Sequence, residues 1–323
     1  MRKIYTSLFL IVFMIMIGSI SSIFLLDHDI PETVFRVDKG ETAKTIANNL
    51  FEQNIINCKY GFILFAKYNS LDSSLKSGDY IFSGQLNIID VVKKIQEGRV
   101  KTKKLKIIEG FRIEEVIQQL SDKGFGDYKT FNKLVYDTLF IKEITRFDIQ
   151  SLEGFIYPDT YFLSEGLSEK FIIEYLVKAH FKKTDNLDFS KSNLTYYEVL
   201  KLASIVEKEV INRGESSLVA SVYLNRLKKN MMLQADPTVS YILEKNNKRK
   251  EIILYKDLKI KSPYNTYLHI GLPPTPICSP SIVAIEAVLN PQKTDFFYFF
   301  ADGKGNHIFS ETYTQHLNRQ KYY

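Results

Sequence analysis

From Ile4 to Leu26 the chain reads IYTSLFLIVFMIMIGSISSIFLL and carries no charge. No other stretch constrains the fold as strongly. Coiled as a helix, these 23 residues would run about 34 Å, against about 30 Å for the hydrocarbon core of a bilayer. Arg2 and Lys3 precede the run, and Asp27, Asp29 and Glu32 follow it. The positive-inside rule then makes residues 1–3 a cytoplasmic tail and 4–26 a transmembrane helix, with the body of the chain on the extracytoplasmic side. The expected localisation is the cell (inner) membrane, single-pass. A cleaved signal peptide is the competing reading, but the run is long for an h-region and lacks a clear A-x-A site.

The remainder is globular in character. Of 323 residues, 45% are hydrophobic and 25% charged, enough for two domains and a substantial core. The net charge of +6 reads as solvated surface. Its densest run, RVKTKKLK from Arg99 to Lys106, alternates with apolar residues like an exposed strand face. No nucleic-acid-binding motif accompanies it, so a nucleic-acid partner is not expected. Cys58 and Cys278 show no CxxC spacing and read as two separate buried thiols. His269, His307 and His316 are scattered without metal-helix spacing, and DGKG has no helix start after it. Neither a metal nor a phosphate-bearing cofactor is expected.

Periodicity gives an α+β chain. TVFRV (Thr33 to Val37) alternates as a strand, and Ala43, Ile46, Ala47 and Leu50 recur at helical spacing. A second helix spans Tyr60 to Tyr68, LKSGDYIF (Leu75 to Phe82) turns into a strand, and NIIDVVKKIQEG is a helix stopped by Gly98. These make a small α+β module over 33–100, followed by a larger mixed α+β domain over 101–323. In that domain helices are expected near Glu169–Lys182, Tyr196–Val210 and Ser216–Lys229. SPYNTYLHIGLPPTPICSP (Ser262 to Pro280) holds five of the nine prolines and excludes regular structure. SIVAIEAVLNP is a short helix, and DFFYFFADGKGNHIF a hairpin whose strand Phe296–Phe300 is expected to be buried.

One helix carries an anomaly. KLASIVEKEV (Lys201 to Val210) sets Glu207 and Glu209 among Leu, Ala, Ile and Val. Two residues apart on a helix means about 200° of rotation, so the pair cannot share a face. Lys201, Ser204 and Lys208 define the expected wet face. One turn before Glu207 come Ala203 and Ser204; one turn before Glu209 come Ile205 and Val206. Desolvation raises a carboxyl pKa, which favours Glu209 as the group that keeps its proton near neutrality. A general acid for glycosidic cleavage needs such tuning, although both glutamates could equally sit on an exposed helix. Tyr264, Asn265 and Tyr267 on the proline-stiffened loop supply flat faces and an amide suited to sugars. In LQADPTV, Gln234 and Asp236 are further polar candidates. Asp236 is open to three uses: a second carboxylate, a hydrogen-bonder or a helix N-cap.

LEGFIYPDTY, ASIVEKE, LQADPTV, SPYNTYLHIGLPPTPI and FFADGKGNHIFS occur in this order, and together they resemble the YceG-like family of membrane-anchored endolytic murein transglycosylases. The resemblance covers essentially the whole chain, anchor included. It implies that residues 33–100 are a LysM-like subdomain and 101–323 a YceG-like catalytic domain. The family's catalytic glutamate, second of E-K-E, falls on Glu209. Glu207, Gln234, Asp236, Tyr264, Asn265 and Tyr267 would then bind glycan. The implied reaction cleaves the MurNAc–GlcNAc β-1,4 bond without water, leaving 1,6-anhydro-MurNAc ends and terminating or trimming nascent strands. The implied partners are peptidoglycan glycan strands, the membrane through one helix, peptidoglycan synthases and division or elongation proteins. A non-catalytic wall-binding scaffold and a hydrolytic muramidase using Asp236 are the alternatives.

Overall fold

The computed structural model describes residues 26–71, 74–98, 102–250 and 252–322. The expected membrane helix over 4–26 therefore lies, apart from Leu26, outside the described residues. Among the described residues no helix is long and apolar enough to cross a membrane. The chain is mixed α+β and divides into two compact units. One ends at Lys104 and also takes in Phe162–Leu167; the other comprises Leu105–Tyr161 and the chain from Ser168 onward.

In the first unit β1 (His28–Val37) pairs antiparallel with β2 (Gly78–Leu86). β1 begins before the expected Thr33, and the register slips between Ile30 and Thr33, where Pro31 cannot donate to the ladder. Three helices complete the unit: α1 (Ala43–Glu52), α2 (Lys59–Tyr68) and α3 (Ile88–Glu97). Thr42 caps α1 and Asn87 forms a capping box with Asp90 on α3. Gly98 ends α3 at φ +65°, a left-handed position that costs glycine little. Phe35, Phe62, Tyr80 and Phe82 fill the core with Ile46, Leu50, Val92 and Ile95. Cys58 differs from expectation: it is half-buried, and its sulfur caps α2 by accepting from the Gly61 N–H at 3.4 Å. Cys278 is buried, and both thiols are free.

β3 (Thr102–Lys106) pairs with β4 (Thr160–Ser164). The second unit is mostly helical: α4 (Ile113–Asp122), α5 (Tyr128–Val135), α6 (Thr138–Thr145) and α7 (Glu169–Thr184) lead to α8 (Tyr196–Glu209). Then come α9 (Ser216–Lys228), α10 (Asp236–Lys245) and α11 (Ile282–Leu289). α8 starts at a capping box of Thr195 and Glu198 and packs on α9, α10 and α11. Residues 262–280 contain no helix or strand, as the prolines require. The antiparallel hairpin of β5 (Tyr298–Ala301) and β6 (His307–Ser310) precedes α12 (Tyr313–Gln320). The aromatic strand expected to be buried is only half-buried, because among the described residues β5 has a single neighbouring strand.

Candidate active site

Glu209 is the last residue of α8; the chain turns extended at Val210. Val199, Leu202, Ala203, Ile205 and Val206 bury the helix behind it, so the carboxyl emerges where a packed helix stops. Glu209 Oε1 accepts a hydrogen bond from Tyr223 Oη at 2.8 Å. Tyr223 lies on α9, buried, with Phe299 of β5 edge-on to its ring at 5.7 Å. One turn further along the same face, Arg226 donates from Nε to the Phe297 carbonyl at 2.7 Å and from Nη1 to the Leu233 carbonyl at 2.6 Å. Arg226 thereby ties α9 both to the hairpin and to the segment before α10. On that segment Gln234 takes φ +50°, its side chain exposed, while its N–H donates to the Thr266 carbonyl at 3.1 Å. Asp236 is the first residue of α10, with Ala235 at the cap position, so the N-cap use does not arise. Instead Asp236 Oδ1 accepts from Tyr267 Oη at 2.6 Å.

The electrostatics follow from this placement. Burial pushes the Glu209 carboxyl up to about 7; the charge of Asp236 adds to the rise, while the Tyr223 hydrogen bond and the Arg226 charge oppose it. A position at a helix C-terminus, the negative end of the macrodipole, further disfavours ionisation. A carboxyl tuned there is about half protonated at neutral pH. Burial and then the Glu209 charge hold the Tyr223 phenol well above its usual range, so it stays a donor. Burial, followed by the hydrogen bond to Asp236, does the same for Tyr267.

Glu207 makes its contacts elsewhere. Its side chain is 9% exposed and lies 3.8 Å from Arg213 Nη2. It accepts from Ser281 N at 2.9 Å and Ser281 Oγ at 2.5 Å, joining α8 to the N-cap of α11. Ser204, expected on a wet face, is fully buried. Its hydroxyl accepts from the Ile277 N–H at 2.9 Å, because the proline-rich loop covers that side of α8. Lys208 is exposed and donates to the Gly110 carbonyl at 3.3 Å. Asn265 is buried, its amide donating to the Leu258 and Ile260 carbonyls at 3.0 and 2.8 Å and accepting from the Tyr267 N–H at 3.0 Å. It braces the loop that presents Tyr267. Tyr264 packs on Tyr241 at 5.0 Å and bonds Thr275 Oγ1 at 3.1 Å.

The cluster around Glu209 is thus Tyr223, Arg226, Asp236 and Tyr267, with Gln234 two residues before Asp236. Tyr223 and Arg226 were not singled out from the sequence. The available signal was a tyrosine and an arginine three apart in the mostly apolar helix SLVASVYLNRL. Among the described residues no three His, Cys, Asp or Glu side chains converge as metal ligands.

Comparison with known proteins decides the family. The sequence model of the YceG-like family matches residues 35–322. The chain belongs to the YceG-like family. Every residue of the cluster falls inside the matched span. Over 311 residues this YceG-like chain is 30% identical to the endolytic murein transglycosylase of Bacillus subtilis, covering 89% of the chain and 83% of the relative. It is also 30% identical over 298 residues to the endolytic murein transglycosylase of Streptococcus pneumoniae strain R6, covering 82% of the chain but 53% of that longer protein. A crystal structure of a yceG-like protein from Listeria monocytogenes superimposes with a TM-score of 0.61 at 32% identity, covering 89% of this chain and 98% of that one.

Proposed function

We propose that the chain is a lyase, an endolytic lytic transglycosylase that cuts the MurNAc–GlcNAc β-1,4 bond of peptidoglycan and leaves 1,6-anhydro-MurNAc ends. The relatives named as endolytic murein transglycosylases support the activity. The observation that carries the chemistry is the Glu209 carboxyl, pushed up to about 7 and held by the Tyr223 hydroxyl. Protonated, Glu209 gives its proton to the glycosidic oxygen as the C1–O bond breaks, and positive charge develops on the MurNAc ring. As the carboxylate, it takes the proton of that sugar's C6 hydroxyl while the C6 oxygen bonds to C1. One carboxyl serves both steps because the nucleophile is part of the substrate, whereas glycosidases that use water or a covalent intermediate generally need two. Tyr223 and Arg226 stabilise the carboxylate between the steps. Asp236, exposed and already accepting from Tyr267, positions the aromatic face against glycan with Gln234 beside it.

In this reading residues 4–26 anchor the protein in the cell membrane with both units outside the cytoplasm. The first unit acts as a LysM-like holder of glycan, and the enzyme terminates or trims strands as they emerge from peptidoglycan synthases. Division or elongation proteins are the expected company. The test is mass spectrometry of murein incubated with the purified full chain and with its Glu209→Gln variant. Anhydro ends from the wild type alone are the expected result. Reducing ends would indicate a muramidase, bound but uncut glycan a scaffold, and undiminished cutting by the variant would remove Glu209 from its role.

A further inference from the structure

Helix α2, KYGFILFAKY, has two faces of opposite character. Phe62 and Ala66 are fully buried against the core of the first unit. Tyr60, Leu64 and Tyr68 point the other way, 72%, 60% and 88% exposed. Spaced i, i+4, i+8, they form one continuous stripe along about 12 Å of helix. Lys67 is exposed one residue before Tyr68. Lys59 Nζ lies 5.5 Å from the Tyr60 ring and 6.0 Å from that of Phe51, itself 43% exposed at the end of α1. The helix contains no acidic residue.

We infer that this face of α2 docks on the anionic lipid headgroups of the membrane to which the chain is tethered. The inference rests on the anchored reading above. Leu26 closes the uncharged run and β1 starts at His28, so one residue, Asp27, separates the anchor from folded structure. Such a connection reaches only about 7 Å, which keeps the first unit at the bilayer surface. Tyrosines with an apolar body and polar tip are the residues that settle at that interface, and lysines beside them meet the headgroup charge. The stripe is a ridge without amide donors, which suits a lipid boundary better than a sugar chain. Three side chains also fall short of the roughly 800 Å² per partner that a stable pair of proteins buries.

The chain contains no tryptophan, so a single reporter is unambiguous. The full chain carrying Tyr68→Trp is reconstituted into phosphatidylglycerol-rich nanodiscs with brominated acyl chains. The control carries Tyr255→Trp, at a site 81% exposed in the other unit. Quenching and a blue shift are expected at position 68 and not at 255. Replacing Lys59 and Lys67 with Gln in the reporter chain is expected to lower the docked-to-free ratio by about 25-fold, about fivefold per lysine. A chain that co-migrates with the discs while the position-68 reporter stays unquenched refutes the docking alone. A chain that fails to co-migrate refutes anchor and docking together. Protection of that reporter by soluble glycan fragments, or by raised protein concentration without lipid, would give the face to sugar or to a second copy and overturn the proposal.

Discussion

If Glu209 is held near neutrality by burial, replacing it should stabilise the fold in a pH-dependent way. Glu209→Gln preserves shape and removes the ionisation. Burial pushes the folded carboxyl up to about 7, against about 4.5 for a free glutamate, and each tenfold change in proton affinity is worth about 1.36 kcal/mol. Between those two values the folded state keeps the proton while the unfolded state has lost it. Stability therefore falls as pH rises through this window, and it is flat on either side. The total is about 3 kcal/mol. Glutamine pays no such penalty. The variant's advantage should be near zero at pH 4, about 1 kcal/mol at pH 5, about 2 at pH 6 and about 3 above pH 7. His180, buried with its pKa pushed down to about 3 by desolvation, contributes the opposite slope: its stabilisation is present above pH 6.5 and fades as pH falls. The difference between variant and wild type is thus the quantity to read, since the His180 contribution cancels in it. Denaturant titrations of both full-length proteins at four pH values give it directly. Melting temperature offers a second readout, with a gain of about 6–12 °C at pH 8 for a unit of this size. A difference that does not grow with pH, or that has the opposite sign, would mean the carboxyl is not held neutral by its surroundings. Loss of activity together with this gain is the expected mark of a group kept in an unfavourable setting for function.

Tyr223→Phe removes a hydrogen bond to the ionised form of Glu209; the alkaline limb of kcat/KM, where the acid is lost, should move up by about one pH unit. Arg226→Met leaves the Leu233 and Phe297 carbonyls without their donor and should cost about 3 kcal/mol in urea unfolding, with kcat reduced as the segment carrying Asp236 loosens. Gly154 sits at φ +83°, and a Cβ there would stand 2.6 Å from Pro276 Cβ; Gly154→Ala should lower stability by about 1–3 kcal/mol in the same assay.

What the sequence made legible is whatever a single segment decides by itself. The alternation of the first unit with its stop at Gly98, the break imposed by the five prolines between Ser262 and Pro280 and the opposite bearings of Glu207 and Glu209 are all local. The errors came where a second segment supplies the environment. Ser204 reads as wet because it shares a helix face with Lys201 and Lys208, and only the fold lays the Ile277 N–H on its hydroxyl. Asn265 looked like a sugar ligand because an amide on a stiff loop often is, yet the carbonyls of Leu258 and Ile260 use both its donors. Phe296–Phe300 looked buried on aromatic content, and a two-stranded sheet leaves such a strand half covered. Glu209 is the instructive case. Its bulky neighbours Ile205 and Val206 suggest a desolvated carboxyl, and burial is indeed the largest cause of its raised pKa. The groups that then adjust its charge come from other elements: Asp236 of α10 adds to the rise, and Tyr223 and Arg226 of α9 oppose it. A helix end packed on its flanks desolvates an acid and raises its pKa; the tyrosine, arginine and aspartate of neighbouring elements then adjust where that acid titrates. Sequence spacing sees the first step, and only the packing of α8 against α9 and α10 supplies the second.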